Sequence, residues 1–210
     1  EDVADLAFAL LIATVRRVAL GDRFVRSGAW LKGSMPLTDS LQQKRVGIVG
    51  MGRIGQAIAR RCAAFNTDIA YYGPQRKPLD WRYFDDLIEL ARWADVLVAS
   101  LPGGQATAKR VSREVLEALG PDGYFVNIAR GSVVDQGALV ELLGQRRLAG
   151  AGLDVFNDEP NVPAALLTMD HVVLQPHQGS ATFTTRQAMG QLVLDNVAAF
   201  VAQRPLPTPV

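Results

Sequence analysis

The stretch Arg45–Asn66, R-V-G-I-V-G-M-G-R-I-G-Q-A-I-A-R-R-C-A-A-F-N, constrains this chain more than any other. It opens on the β-branched run Val46, Ile48 and Val49, which suits a strand covered on both faces. Gly50, Gly52 and Gly55 follow in G-x-G-x-x-G spacing. Behind them Ile54, Ile58, Cys62 and Phe65 return every three or four residues, as one face of a helix does. In such a unit Gly50 permits the tight turn out of the strand. Gly52 lets backbone approach a pyrophosphate, and Gly55 lets helix and strand pack closely. The free N–H groups at the positive end of the helix dipole then face an anion. Glycines also mark ordinary tight turns, so the spacing alone is weak. A strand before it and a helix behind it are the context of a dinucleotide site.

With 210 residues, 49% hydrophobic and 20% charged, the chain can bury a substantial core, in one large domain or two small ones. Basic residues number 22 and acidic ones 21, which leaves no electrostatic case for nucleic acid or an anionic membrane. The single cysteine, Cys62, cannot form an internal disulfide and sits on an apolar helix stripe. It reads as a small core residue rather than a nucleophile, and a reducing, cytoplasmic setting is the default. Leu6–Val15 is apolar almost without break but too short to span a bilayer. The acidic Glu1, Asp2 and Asp5 before it are the opposite of a signal peptide. It reads as a helix apolar on most sides, ending at Arg16 and Arg17, which another subunit or a further part of the protein must cover.

Along the chain Asp22 reads as the cap of a second helix stopping near Gly28, and residues 32–43 as a connector. Strand and helix then alternate. Strands are expected at Asp68–Gly73, Asp95–Ser100, Tyr124–Ile128, Ala151–Val155 and His171–Leu174. Helices are expected at Phe84–Trp93, Thr107–Leu119, from the cap Asp135 to Gly144, and at about Thr184–Val201. Helices between short apolar strands mean a parallel sheet covered on both faces. No cluster of potential metal ligands stands out, because two histidines and one cysteine lie far apart.

In an open parallel sheet, ligands bind beyond the carboxyl ends of the strands. The second strand ends in Y-Y-G-P-Q-R-K, with no carboxylate before Asp80 to hold a ribose 2′-hydroxyl. Arg76 and Lys77 stand there instead, cations that suit a 2′-phosphate and hence NADP over NAD. A solvated basic turn is the other reading. Arg130 follows the fourth strand, where it is either a clamp for a carboxylate or carbonyl or half of a surface salt bridge. Glu159 and His177 follow the next two strands and should face one crevice. A carboxylate on one imidazole nitrogen fixes the tautomer and favours the charged ring, and the other nitrogen can deliver a proton. His171, at the start of its strand, should lie at the far end of the sheet and be structural.

G-M-G-R-I-G, N-I-A-R-G-S-V-V-D-Q-G-A-L, G-L-D-V-F-N-D-E-P and Q-P-H-Q-G-S-A-T occur in this order over nearly the whole chain. Together they resemble the D-isomer-specific 2-hydroxyacid dehydrogenases, particularly the glyoxylate/hydroxypyruvate reductase branch. The resemblance implies a Rossmann-type, doubly wound parallel sheet in a three-layer α/β/α domain. It implies a catalytic set Arg130, Glu159 and His177, in which the histidine protonates the keto oxygen as hydride leaves the nicotinamide. Glutamate would support the charged imidazole, and arginine would hold the substrate's carboxylate and carbonyl. Coenzyme contacts would come from Gly50, Gly52, Arg53, Ile54 and Gly55, from Gly73, Arg76 and Lys77, and from Leu101, Pro102 and Thr107. Ile128, Ala129 and Arg130 would line the nicotinamide side, with Asp154 on the carboxamide and His177 and Gly179 beside it. No metal is implied.

Some features narrow the resemblance. Glu159 argues against a formate dehydrogenase, which pairs its histidine with glutamine. The end at Pro205–Val210 resembles compact members rather than the long phosphoglycerate dehydrogenases. NADP-using relatives commonly place arginine directly after the position of Gly73, where this chain has Pro74. The family's substrate lobe would precede the first helix, and none of it is present in these residues. Residues 1–210 would then form one NAD(P)-binding domain. Residues 1–31 would be inter-domain and dimerisation helices, 45–180 the core, and 184–201 a helix packing on the substrate lobe. A homodimer is implied, with a small 2-keto or 2-hydroxy acid as substrate, and a fragment lacking the lobe would turn over poorly. The alternative on the same scaffold is an NAD(H)-sensing dimeric interaction protein of the co-repressor type.

Overall fold

The computed structural model describes residues 1–209. In chain order it places α1 (Asp2–Val15), α2 (Val18–Arg26), β1 (Arg45–Val49), α3 (Arg53–Ala63), β2 (Asp68–Tyr72), β3 (Arg82–Phe84), α4 (Leu87–Trp93) and β4 (Val96–Ala99). Then come α5 (Arg113–Leu119), β5 (Tyr124–Asn127), α6 (Gln136–Gly144), β6 (Gly150–Leu153), α7 (Ala164–Leu167), β7 (Val172–Leu174) and α8 (Phe183–Val201). The seven strands form one sheet in the order β3-β2-β1-β4-β5-β6-β7, and every pairing is parallel. Leu90, Leu116 and Leu142, from α4, α5 and α6, are buried on one face, and Leu11, Ile58 and Cys62, from α1 and α3, on the other. This is the doubly wound, three-layer α/β/α arrangement, and the order of strands reverses between β1 and β4. Among the described residues no helix is long and apolar enough to cross a membrane.

The cover that α1 needs comes largely from its own chain. Ala4, Ala7, Leu10, Leu11 and Val15 are buried against α3 and the strands β5–β7. Strand β6 reads G-A-G-L, and a Cβ on Gly152 would stand 2.8 Å from the Thr14 hydroxyl and 3.2 Å from Leu10 Cβ. Small residues on that strand therefore let the helix seat closely. The unpartnered apolar surface lies elsewhere. Helix α2 has no buried residue, Leu31 after it is 93% exposed, and in α8 only Ala199 is buried while Phe183 is 98% exposed.

Four expectations are corrected in detail. Asp22 is not a cap: Arg17, at φ 49°, breaks the chain, α2 starts at Val18, and Asp22 pairs with Arg26 one turn on. Phe84 ends the edge strand β3 instead of opening a helix, and Asp86 caps α4 by accepting N–H bonds from Ile88 and Glu89. Thr107–Leu119 is not one helix, because Lys109 N–H bonds Ser132 O and Val111 N–H bonds Val133 O. Those bonds draw the backbone away from a helix until Arg113. On α3 the buried face is Gly55, Ala57, Ile58, Ala59 and Cys62, whereas Ile54 and Phe65 are 39% and 47% exposed.

Candidate active site

Parallel register brings the carboxyl ends of β1, β2, β4, β5, β6 and β7 to one edge, and the loops that follow build the site. Gly50 leaves β1 at φ +97°, and a Cβ there would meet the Leu101 backbone at 2.9 Å. Only glycine suits both demands. The Ser100 hydroxyl donates to Gly50 O at 2.7 Å and closes this turn against the end of β4. A Cβ on Gly55 would lie 2.2 Å from Gly50 O, so α3 packs directly on the turn. Gly52, in contrast, has nothing within 4 Å of where its Cβ would be, and no side chain caps α3. The first N–H groups of an eleven-residue helix thus face open space beside a bare backbone. That is a cradle for a pyrophosphate, and the residues fit the group.

A cleft of about 1310 Å³ lies over this point, lined by Gly52, Arg53, Ile54, Ile128, Arg130 and Glu159 among others. A second cavity of about 690 Å³ shares Gly52, Leu101 and Pro102 with it and extends past Gly73, Arg76, Lys77 and Thr107. The Thr107 hydroxyl donates to Pro102 O at 2.7 Å and shapes the wall between them. Together they form a trough running from the turn after β2 to the loops after β5 and β6. Ile54, displaced from the helix's buried face, is on its wall.

His177 Nδ1 donates to Glu159 Oε2 at 2.7 Å, and Glu159 Oε1 accepts the Phe156 N–H at 2.9 Å. Burial pushes the Glu159 carboxyl up. The bonds from His177 and Phe156, with the charges of His177 and Arg130, outweigh it and hold the group below its ordinary value. With Nδ1 engaged, Nε2 is the His177 nitrogen left to exchange a proton. Arg130 makes no ion pair among the described residues, which removes the surface salt-bridge reading. Its side chain lies across Gly103, where an added Cβ would stand 2.8 Å from Arg130 Cγ. Glu159 and Phe156 also line a third, smaller cavity of about 310 Å³ with His177.

Besides His177, which lines only the third cavity, three expected coenzyme residues do not line the trough. Gly55 is behind it, holding turn to helix. Asp154 is 1% exposed, and its carboxylate accepts N–H bonds from Gln178 (2.7 Å) and Gly179 (2.9 Å), while its backbone oxygen accepts the His177 N–H. Asp154 and Gly179 therefore fasten the turn that carries His177. His171 lies at the far end of the sheet as expected, buried, with Nε2 3.2 Å from Leu143 O and the ring held below its ordinary value by burial and the Arg146 charge. Cys62 is buried and its thiol is pushed up to about 12, so it is inert.

Other contributors escape sequence reasoning. Asn127, fully buried at the end of β5, accepts the Ala129 N–H and donates to Arg130 O, shaping the turn before Arg130. A Cβ on Gly131 would fall 2.0 Å from the Phe156 carbonyl carbon, so this glycine lets the Arg130 loop touch the Glu159 loop. A polar residue ending an apolar strand was the available signal for Asn127. Nothing in the pattern singled out Gly131.

Residues 8–179 match the model of the D-isomer specific 2-hydroxyacid dehydrogenase NAD-binding domain. The chain belongs to this family. A 2-ketogluconate reductase of Gluconobacter oxydans is 48% identical over the whole chain, which spans 68% of that protein. A glyoxylate/hydroxypyruvate reductase of Arabidopsis thaliana is 46% identical, again over the whole chain and 67% of the relative. Among solved structures, the NADPH-dependent glyoxylate/hydroxypyruvate reductase of Sinorhizobium meliloti, in complex with NADP and malonate, superposes with a TM-score of 0.95 at 45% identity. It is covered to 66% of its length by the whole of this chain. The chain thus spans about two thirds of the length of these relatives. As a member of the 2-hydroxyacid dehydrogenases it is an NAD(P)-dependent oxidoreductase, and the reaction class is hydride transfer between a nicotinamide dinucleotide and a small 2-keto or 2-hydroxy acid.

Proposed function

We propose that this chain is the coenzyme-binding domain of a reductase for a small 2-keto acid such as glyoxylate or hydroxypyruvate, with Arg130, Glu159 and His177 as its catalytic set. The observation that carries the reading is the 2.7 Å bond between His177 Nδ1 and Glu159, whose carboxylate shares the wall of the large cleft with Arg130. When bound, a reduced nicotinamide supplies the hydride. Gly50, Gly52, Arg53 and Ile54 hold the pyrophosphate on the N-terminus of α3, and Ile128 and Ala129 line the space for the ring. Arg130 binds the keto acid's carboxylate and orients its carbonyl through a two-pronged donor. Glu159 keeps His177 in one tautomer, so that a proton held on Nε2 passes to the carbonyl oxygen. Asp154 acts on this step by fixing the histidine's turn.

NADPH is the preferred donor in this reading, because Arg76 and Lys77 occupy the position where a carboxylate would select NADH. The exposed surface of α2, Trp30 and Leu31 supports a homodimer, and the bare face of α8 supports a substrate lobe packed upon it. The single buried thiol accords with a cytoplasmic setting. The test is loss of NADPH absorbance on adding glyoxylate, hydroxypyruvate or 2-ketogluconate to the full-length protein. Turnover should fall by about 10²–10⁴-fold in His177→Asn. A full-length protein that binds NADPH but reduces no 2-keto acid would overturn the reading.

A further inference from the structure

We infer that Arg110 is a third cation of the adenosine-end cavity and, with Arg76 and Lys77, selects dinucleotides carrying a phosphate on the adenosine ribose. The inference rests on the coenzyme reading above and adds a residue from a different loop of the fold. The cavity of about 690 Å³ has two walls: the turn after β2 brings Arg76 and Lys77, and the loop after β4 brings Thr107 and Arg110. No aspartate or glutamate lines it, and none of the three cations makes an ion pair among the described residues. The adjacent Lys109 differs, reaching Asp135 at 3.4 Å on the other side of the loop.

Both walls are held in advance. Lys109 N–H bonds Ser132 O at 2.8 Å and Val111 N–H bonds Val133 O at 2.9 Å, so the backbone is pinned on either side of Arg110. Opposite, the buried Tyr71 hydroxyl accepts the Lys77 N–H at 2.7 Å, and the Tyr83 hydroxyl donates to Gly73 O at 3.1 Å. Among the described residues the Arg110 guanidinium makes only one long bond, 3.4 Å to Ala106 O, which leaves most of its donors free. Three like charges around one small cavity repel each other, and a bound dianion converts that repulsion into attraction. Arginine adds a planar fork that matches two phosphate oxygens, whereas lysine acts as a point charge.

The test is titration of the protein with NADPH and NADH, followed by nicotinamide fluorescence. Calorimetry with 2′-AMP and 5′-AMP isolates the adenosine end. Wild type, Arg110→Ala, Arg110→Lys and a double Arg76→Ala, Lys77→Ala variant are compared. Arg110→Ala should weaken NADPH and 2′-AMP by about tenfold, as loss of one hydrogen-bonded charge does. NADH and 5′-AMP should stay within about twofold on the same basis, and Arg110→Lys should recover only part of the loss. If Arg110→Ala weakens all four ligands alike, the side chain stacks on the base or props the loop, and the inference fails. It fails too if no affinity moves. In both cases the NADPH reading survives when the double variant loses its selectivity. Wild type binding NADH as tightly as NADPH overturns both together.

Discussion

Replacing Asp154 by asparagine exchanges one carboxylate oxygen for an amide nitrogen and should unfasten the turn that carries His177. The residue is 1% exposed, and its oxygens accept one backbone N–H each, from Gln178 at 2.7 Å and from Gly179 at 2.9 Å. Asparagine keeps one acceptor and turns a donor toward the other N–H. A buried N–H left without a partner costs about 1–3 kcal/mol, and the surviving bond weakens by about 1 kcal/mol when its acceptor becomes neutral. The sum is a loss of about 2–4 kcal/mol. For a chain of this size that is a fall of roughly 4–16 °C in Tm. Urea unfolding followed by tryptophan fluorescence measures the first quantity, and a thermal melt the second. The His177 N–H bond to the Asp154 backbone oxygen survives the exchange, so loosening should concentrate at Gln178 and Gly179, with faster amide exchange there. A loss below about 0.5 kcal/mol, with those two amides still protected, would refute the account, since a surface position gives no more.

Gly131→Ala should destabilise the chain by about 2–3 kcal/mol in chemical denaturation, because the three atoms nearest its Cβ, at 2.0–2.4 Å, are all backbone, of Phe156 and Asn157. A wild-type midpoint would show that the two loops separate freely. His171 is held below its ordinary value of 6.5, chiefly by burial, so the unfolded chain takes the proton more readily. Its contribution to stability is present above pH 6.5 and is lost as pH falls through the folded value. His171→Gln should accordingly flatten the urea midpoint between pH 7 and 5, and parallel curves for the two proteins would contradict this. Glu159 is held below 4.5, so its bond to His177 supports the fold above that pH and is lost as pH falls beneath it. Glu159→Gln should remove that acid limb and lower kcat/KM of the full-length enzyme by about 10²-fold or more; full activity would exclude the pair from the reaction.

Much of the fold was legible because buried parallel strands and their crossover helices have different periods. The glycine unit at Arg45–Asn66, the strands β4 and β5 and the cap at Asp135 all stand where local pattern places them. Two of the misplacements share one cause, which is tertiary hydrogen bonding that local propensity does not contain. Strand β3 is three residues long, too short to show a period, and exists because β2 offers it a ladder. The residues after Thr107 look helical, yet Ser132 and Val133 from a distant loop take their N–H groups. Arg17 in a left-handed conformation ends one helix and begins another, and arginine carries no local signal for it.

The candidate site was legible in kind and not in contact. Residues at the ends of β5, β6 and β7 could be assigned to one edge from the alternation of strands alone, which gathers Arg130, Glu159 and His177 near a single crevice. Their placement against one another needs more. It needs Gly131 to admit the Phe156 backbone, Asn127 to bend the chain before Arg130, and Asp154 to tie down Gln178 and Gly179. Each of these acts on backbone atoms from another loop, or on its own turn from a buried position. A polar or small residue with such a partner looks in sequence like any other strand end. The same blindness hid Arg110, which sits 33 residues after Lys77 yet lines the same cavity. Sequence distance separates what strand order joins, because β2 and β4 both flank β1 and their loops must converge above it.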